Sequence, residues 1–286
     1  MEPVAEAPLT REYPGAIRAV DTGLERPEMA ASYLMLEAGR AAFVDAGTGH
    51  SPPRLLAALQ KAQVGCEQVD WVIVTHVHLD HAGGAGRLMQ ALPNARLVVH
   101  PRGARHMQDP SKLIQGATAV YGEAEMWRQF GDVLATPEER IVIAEDGDTL
   151  SLNGRELVFM DSPGHARHHF CIWDENSRGW FAGDSFGMSY RNFDTANGPF
   201  IFPTTTPIDF DPGAMHDTIE KMLARDPVCI YLTHYGRVEN PAPLAQDMHR
   251  RVDGLVEIAE RNEGVEDCAA CIAQEVETWL MDEAVT

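Results

Sequence analysis

The sequence predicts a layered α/β fold, and three observations predict it. Short apolar runs of strand length alternate with amphipathic segments of helix length along the chain. Four apolar runs end in loops that carry His or Asp. Of the 286 residues, 44% are hydrophobic, which suits a large core and not a disordered chain.

The elements follow in order. Residues 41–44 read as a strand ending at Asp45-Ala46-Gly47. Ser51 is placed to cap a helix through Leu55, Leu56 and Leu59, with Pro52 and Pro53 in its first turn. Residues 71–74 form the next strand, 86–91 a helix, and 95–100 a strand closed by Pro101. Helix-forming sequence over 110–135 carries Leu113, Tyr121, Trp127 and Phe130. From 149 to 184 strands and turns take over. Asn153-Gly154 marks one hairpin turn and 175–179 a longer one. Residues 211–225 are helical, capped near Asp209 or Asp211, and 228–232 form a buried strand.

Beyond Gly236 the chain reads as an appendage, giving an expected division into a main domain (1–236) and an acidic helical extension (237–286). One apolar stripe runs Leu244, Met248, Val252, Leu255, Ala259. A second runs Val265, Cys268 or Ala269, Ile272, Val276, Leu280. Both suit packing onto the domain or onto a second copy in a homodimer. From Glu239 onward there are 12 Asp/Glu against 3 Lys/Arg, so the outer faces are acidic. Cys268 lies on the stripe, and no second pair accompanies Cys268 and Cys271 to make a metal or redox motif.

The most informative stretch is Thr75-His76-Val77-His78-Leu79-Asp80-His81, after the strand at 71–74. In extended backbone, residues two apart point the same way, so His76 and His78 can grip one ion. Asp80 and His81 fall past the turn and can face a second. Three more candidates end apolar runs: His165 in Ser162-Pro163-Gly164-His165, Asp184 after Gly183, and His234 after Thr233. Five His and two Asp are enough for two adjacent ions sharing one carboxylate. This ligand chemistry suits zinc or iron, whereas calcium and magnesium prefer oxygen shells.

This ordered set, HVHLDH, PGH, GD and TH, resembles the signature of the metallo-β-lactamase superfamily, glyoxalase II-like branch, over roughly residues 15 to 236. Val44-Asp45-Ala46-Gly47 and His169 are further matches. The resemblance implies a four-layer αββα sandwich with the C-terminal helices as an extension, and the site at strand ends between two sheets. It implies one ion on His76, His78 and His165, a second on Asp80, His81 and His234, and Asp184 between them. Two divalent ions are expected, zinc first, with iron and manganese as alternatives. Asp45 and His169 are expected to support ligands from behind; Asp45 suits the carboxylate that receives a ligating imidazole's other N–H.

The formal net charge is −20, from 23 basic and 43 acidic residues, a field that repels polyanions and argues against nucleic acid as partner. No Lys/Arg cluster is visible in the sequence. No run approaches a membrane span, and residues 1–10 show no signal-peptide pattern. Cys66, Cys171, Cys229, Cys268 and Cys271 are odd in number and scattered, which favours free thiols and a cytoplasmic location.

The expected chemistry is hydrolysis. Hydroxide generated on two ions attacks an acyl or phosphoryl centre, and Asp80 orients it and carries a proton. The long aromatic segment 186–212 is expected to wall an apolar pocket for a small molecule, with Phe186, Tyr190 and Tyr235 as lining residues. The stretch Ser185-Phe186-Gly187-Met188-Ser189-Tyr190 lacks the Cys-Gly-Arg/Lys-like element of glyoxalase II, and Gly187 stands where quorum-quenching lactonases place Tyr. A small ester, thioester or lactone remains as substrate. Two rivals are an iron dioxygenase of the persulfide type, with one iron on two His and an Asp, and a non-enzymatic binding protein with structural metal.

Overall fold

The computed structural model describes residues 8–196, 198–206, 208–265 and 267–285. The first half of the chain runs β1 (Thr10–Tyr13), β2 (Ile17–Asp21), β3 (Ala31–Glu37), β4 (Arg40–Val44), α1 (Pro52–Lys61), β5 (Val69–Ile73), α2 (Leu79–Ala82), α3 (Ala85–Ala91), β6 (Arg96–Val99), α4 (Ala104–Gln108), α5 (Ser111–Tyr121), α6 (Glu123–Phe130) and β7 (Ile141–Ile143). Its seven strands form one sheet in sequence order, antiparallel from β1 to β4 and parallel from β4 to β7.

The second half runs β8 (Thr149–Leu152), β9 (Arg155–Asp161), β10 (Phe170–Asp174), β11 (Gly179–Gly183), α7 (Pro212–Leu223), β12 (Cys229–Leu232), β13 (Gly236–Glu239), α8 (Pro241–Arg261) and α9 (Cys268–Val285). The second sheet has the order β13-β12-β11-β10-β9-β8, with β11 and β12 the parallel pair.

Period-two side-chain alternation makes the layers. In β4, Ala41 and Phe43 face the α1/α3 layer, while Ala42 and Val44 face the other sheet. In β10, Cys171 and Trp173 face the α7/α8 layer, while Phe170 and Ile172 face inward. Between the sheets, Phe181 stacks on Tyr231 at 4.6 Å and meets Tyr33 edge-on at 5.3 Å. The result is the four-layer αββα sandwich with C-terminal helices. The sheets are also stitched by buried Arg155, whose Nε donates to Asp174 Oδ1 at 2.7 Å and whose second nitrogen reaches Gly15 O at 2.6 Å.

Three expectations need correction. The division at 236/237 cuts a hairpin: β13 pairs with β12. Leu244, Ala245, Met248 and Val252 of α8 complete the outer layer over the second sheet. The layered domain therefore includes α8, and only α9 is peripheral, packed on α8. The α8 stripe also drifts: Ile258 is buried and Ala259 exposed, because the helix's second half turns towards α9, where Trp279 covers Gly254. Ser51 does precede α1, but its side chain makes no cap bond; it accepts from the Thr48 N–H at 3.0 Å. Asp211 is the cap of α7, accepting from the Ala214 N–H at 2.9 Å. Among the described residues no helix is long and apolar enough to cross a membrane.

Candidate metal centre

Strand ends deliver the ligands. Beyond β5, the segment through Thr75 carries His76 and His78, and α2 carries Asp80 and His81. His165 lies past β9, Asp184 directly after β11, and His234 two residues after β12. Glycine makes two of these approaches feasible. Gly164 has φ +132° and Gly183 φ +49°. A Cβ at Gly183 would sit 2.5 Å from His169 Nε2, and one at Gly164 would sit 2.6 Å from the Met215 backbone.

All seven predicted ligands converge, and they form two tripods. In the first, His76 Nε2 lies 2.8 Å from His78 Nδ1, which lies 3.1 Å from His165 Nε2. In the second, Asp80 Oδ2 lies 3.5 Å from His81 Nε2 and 3.3 Å from His234 Nε2. Asp184 addresses both: Oδ2 is 3.3 Å from His165 Nε2, while Oδ1 is 3.3 Å from His81 Nε2 and 3.5 Å from His234 Nε2. His81 Nε2 and Asp184 Oδ1 are buried with no hydrogen-bond partner. A buried donor set left this way is costly unless a cation completes it, so the residues fit divalent metal.

The nitrogens opposite the ligating atoms are engaged. His76 Nδ1 meets Thr75 Oγ1 at 3.1 Å, and that hydroxyl donates to Asp45. His81 Nδ1 meets Asp45 Oδ2 at 2.8 Å. His165 Nδ1 meets Thr204 Oγ1 at 2.8 Å, and that hydroxyl donates to Asp184 O at 2.9 Å. His234 Nδ1 meets Met29 O at 2.8 Å. These acceptors fix the tautomer that points Nε2 into the site. His78 differs, because its Nδ1 faces the site. Asp45, at φ +61°, accepts from the Thr75 N–H and from the hydroxyls of Thr75 and Thr233 as well as from His81. His169 supports a ligand's backbone: its Nε2 accepts from the Asp184 N–H at 3.1 Å.

Electrostatics distinguish the tripods. Burial, then neighbouring imidazoles, pushes His76 and His78 down, His78 to about 3. Burial also lowers His165. In the second tripod burial is overcome: Asp80, Asp184 and Asp45 hold His81 well above its ordinary value, and Asp184 and Asp80 raise His234. Against burial, His81 and His234 keep Asp80 ionised. A cation must displace protons only where the imidazole holds them, so affinity of the second tripod falls as pH falls while the first keeps its neutral ligands. A calorimetric zinc titration at pH 7 should therefore show two steps. Only the step that fills the second tripod should depend on buffer ionisation enthalpy, through release of protons. Equal buffer dependence of both steps would contradict this.

The predicted pocket residues are not brought together. Phe186 is fully buried beside Met215, Ile201 and Met248 in the outer core, so it cannot line a substrate pocket. Tyr235 is also buried, with Arg11 5.8 Å over its ring, and burial with the nearby Glu28 and Asp21 raises its hydroxyl. Tyr190 lies in the field of Asp184 and Asp80. Burial, with those carboxylates, pushes its hydroxyl up to about 12, and Arg26 sits 4.7 Å over its ring. Sequence reasoning missed Thr75, Thr204, Thr233 and the Met29 carbonyl. Thr75 and Thr233 each directly precede a ligand; nothing local marks the other two. It also missed His168, whose ring lies 5.3 Å from that of His78.

The pattern of the family described as the metallo-beta-lactamase superfamily matches residues 26–234. The metallo-beta-lactamase fold-containing protein ST1585 of Sulfurisphaera tokodaii is 25% identical over 219 residues, 75% of this chain and 76% of that protein. The crystal structure of ST1585 superposes with a TM-score of 0.67 at 21% identity, covering 93% of this chain and 97% of that one. The Homo sapiens acyl-coenzyme A thioesterase MBLAC2 is 29% identical over 125 residues, 39% of each chain. A hydroxyacylglutathione hydrolase of Klebsiella pneumoniae is 30% identical over 137 residues, 48% of this chain and 39% of that enzyme.

Proposed function

We propose that this chain, which belongs to the metallo-beta-lactamase superfamily, is a dinuclear zinc hydrolase of a small thioester, with ester and lactone bonds as chemical neighbours. One observation carries the reading: two tripods of ligands are joined by the two oxygens of Asp184. Structural zinc needs only one closed four-ligand shell. Two ions, when bound there, supply a nucleophile at neutral pH and neutralise developing negative charge. The relatives support the thioester: the thioesterase and the glutathione hydrolase are both named for acyl groups on thiols. The loop after Asp184 still lacks the element expected for glutathione.

The chain's own groups set the geometry. Thr75, Asp45, Thr204 and Met29 hold four imidazoles in register. Asp80, ionised at neutral pH, offers its carboxylate to orient the attacking solvent and accept its proton. The Tyr190 hydroxyl stays protonated and is a donor for the developing oxyanion.

The test is a panel of one acyl group presented as thioester, alkyl ester and lactone to zinc-loaded protein. Thioester cleavage should dominate, disappear with a chelator and return with zinc. Fully loaded protein that cleaves none of the three would overturn the proposal.

A further inference from the structure

We propose that the cavity lined by Arg102, Arg105 and Arg167 beside the metal centre is an anion subsite that takes a phosphate-bearing end of the substrate. The cavity is about 400 Å³, between the turn after β6 (Pro101, Arg102, Arg105, His106) and the loop that carries Arg167 and His168, with Asp209 at its edge. His168 is the wall shared with the metal centre: its ring lies 5.3 Å from that of His78 and 6.1 Å from that of His76. Arg167 is two residues past His165.

Charge makes this place unusual. The chain has 43 acidic and 23 basic residues, yet here three arginines and one aspartate line the cavity. That carboxylate is a loose partner, with Arg167 Nε 3.6 Å from Asp209 Oδ1. Among the described residues no carboxylate lies within ion-pair distance of Arg102 or Arg105; Arg105 Nε has only His106 Nε2, at 3.3 Å. Neighbouring acids are engaged elsewhere. Asp161 Oδ1 pairs with His100 Nε2 at 3.0 Å, and Asp109 Oδ1 accepts from Ser111. His106 registers the local field: burial, then Arg105 and Lys112, lowers its proton affinity.

Unpaired guanidinium forks match phosphate oxygens in charge and shape. The acidic surface elsewhere repels an anion, so the pocket's local field must guide the phosphate in. An acyl substrate anchored here by its phosphates extends past His168 towards the ligand tripods. The substrate class is thus an acyl group on a phosphorylated small-molecule carrier. The reacting bond rests on the hydrolase reading above; the subsite does not.

Zinc-loaded full chain is compared with R102A/R105A, two exposed positions, on one acyl group carried by coenzyme A and by uncharged N-acetylcysteamine. The variant should raise KM for the coenzyme A ester about tenfold or more and leave that for the neutral ester within about twofold. Binding of adenosine 3′,5′-bisphosphate, measured by calorimetry, should weaken in parallel and needs no reaction. An equal KM rise for both esters, or unchanged bisphosphate binding, overturns the proposal. Arginine-dependent bisphosphate binding in a protein that cleaves neither ester supports the subsite and counts against the hydrolase.

Discussion

Asp184→Ala is expected to leave a folded protein that holds fewer than two ions and turns over at least about a thousandfold more slowly, the scale of several kcal/mol of metal stabilisation. Among the described residues, Asp184 is the one side chain whose two oxygens approach both tripods, at 3.3 Å to His165 and 3.3 Å to His81. Its removal leaves each set of three ligands without the group that links them. The fold has little to lose. Asp184 Oδ1 has no hydrogen-bond partner. The residue's backbone stays anchored by His169 Nε2 on its N–H and Thr204 Oγ1 on its carbonyl. Circular dichroism, metal analysis and kcat/KM on one preparation check the three parts together. Wild-type turnover with two ions retained would refute the bridging role.

Asp45→Ala should act through both stability and metal. The buried Asp45 carboxylate accepts from the Thr75 N–H, the Thr75 and Thr233 hydroxyls and His81 Nδ1. Alanine strands these donors, at about 1–3 kcal/mol for each one left unsatisfied. Hydroxyls can turn to other acceptors, so a net loss of about 4 kcal/mol is expected, lowering Tm by about 10 °C. Freed from Asp45, His81 should also weaken second-ion affinity by about 10–100-fold. Asp45→Asn separates the effects: the amide keeps the shape and one acceptor oxygen, so stability should recover more than second-ion affinity. Unchanged affinity in both variants, measured by zinc titration, would show that His81 needs no such support.

The layers were legible because alternation within strands such as β4 and β10 is a local signal. The convergence of the seven candidates was legible because each group of them follows a strand and belongs to a type with few other reasons to sit there. What sequence left hidden depends on contacts between distant segments. Thr204 reaches His165 from 39 residues away, and nothing in Pro203-Thr204-Thr205-Thr206 says which hydroxyl does so. Phe186 read as pocket lining because aromatic side chains suit both pockets and cores; only packing against Met248 of α8 decides it. The same ambiguity misplaced the domain boundary, since an amphipathic stripe does not name the face it covers. The arginines of the anion cavity sit on two segments about 60 residues apart, so no basic run appears in the sequence.

A two-ion centre is tested most directly by metal content per chain, by elemental analysis, on protein purified without chelators. About two zinc ions per chain, falling to about one in Asp184→Ala, is the predicted result for two tripods bridged by one carboxylate. A single iron per chain, unchanged by added zinc, would contradict the dinuclear account and point to oxygen chemistry on the same ligands.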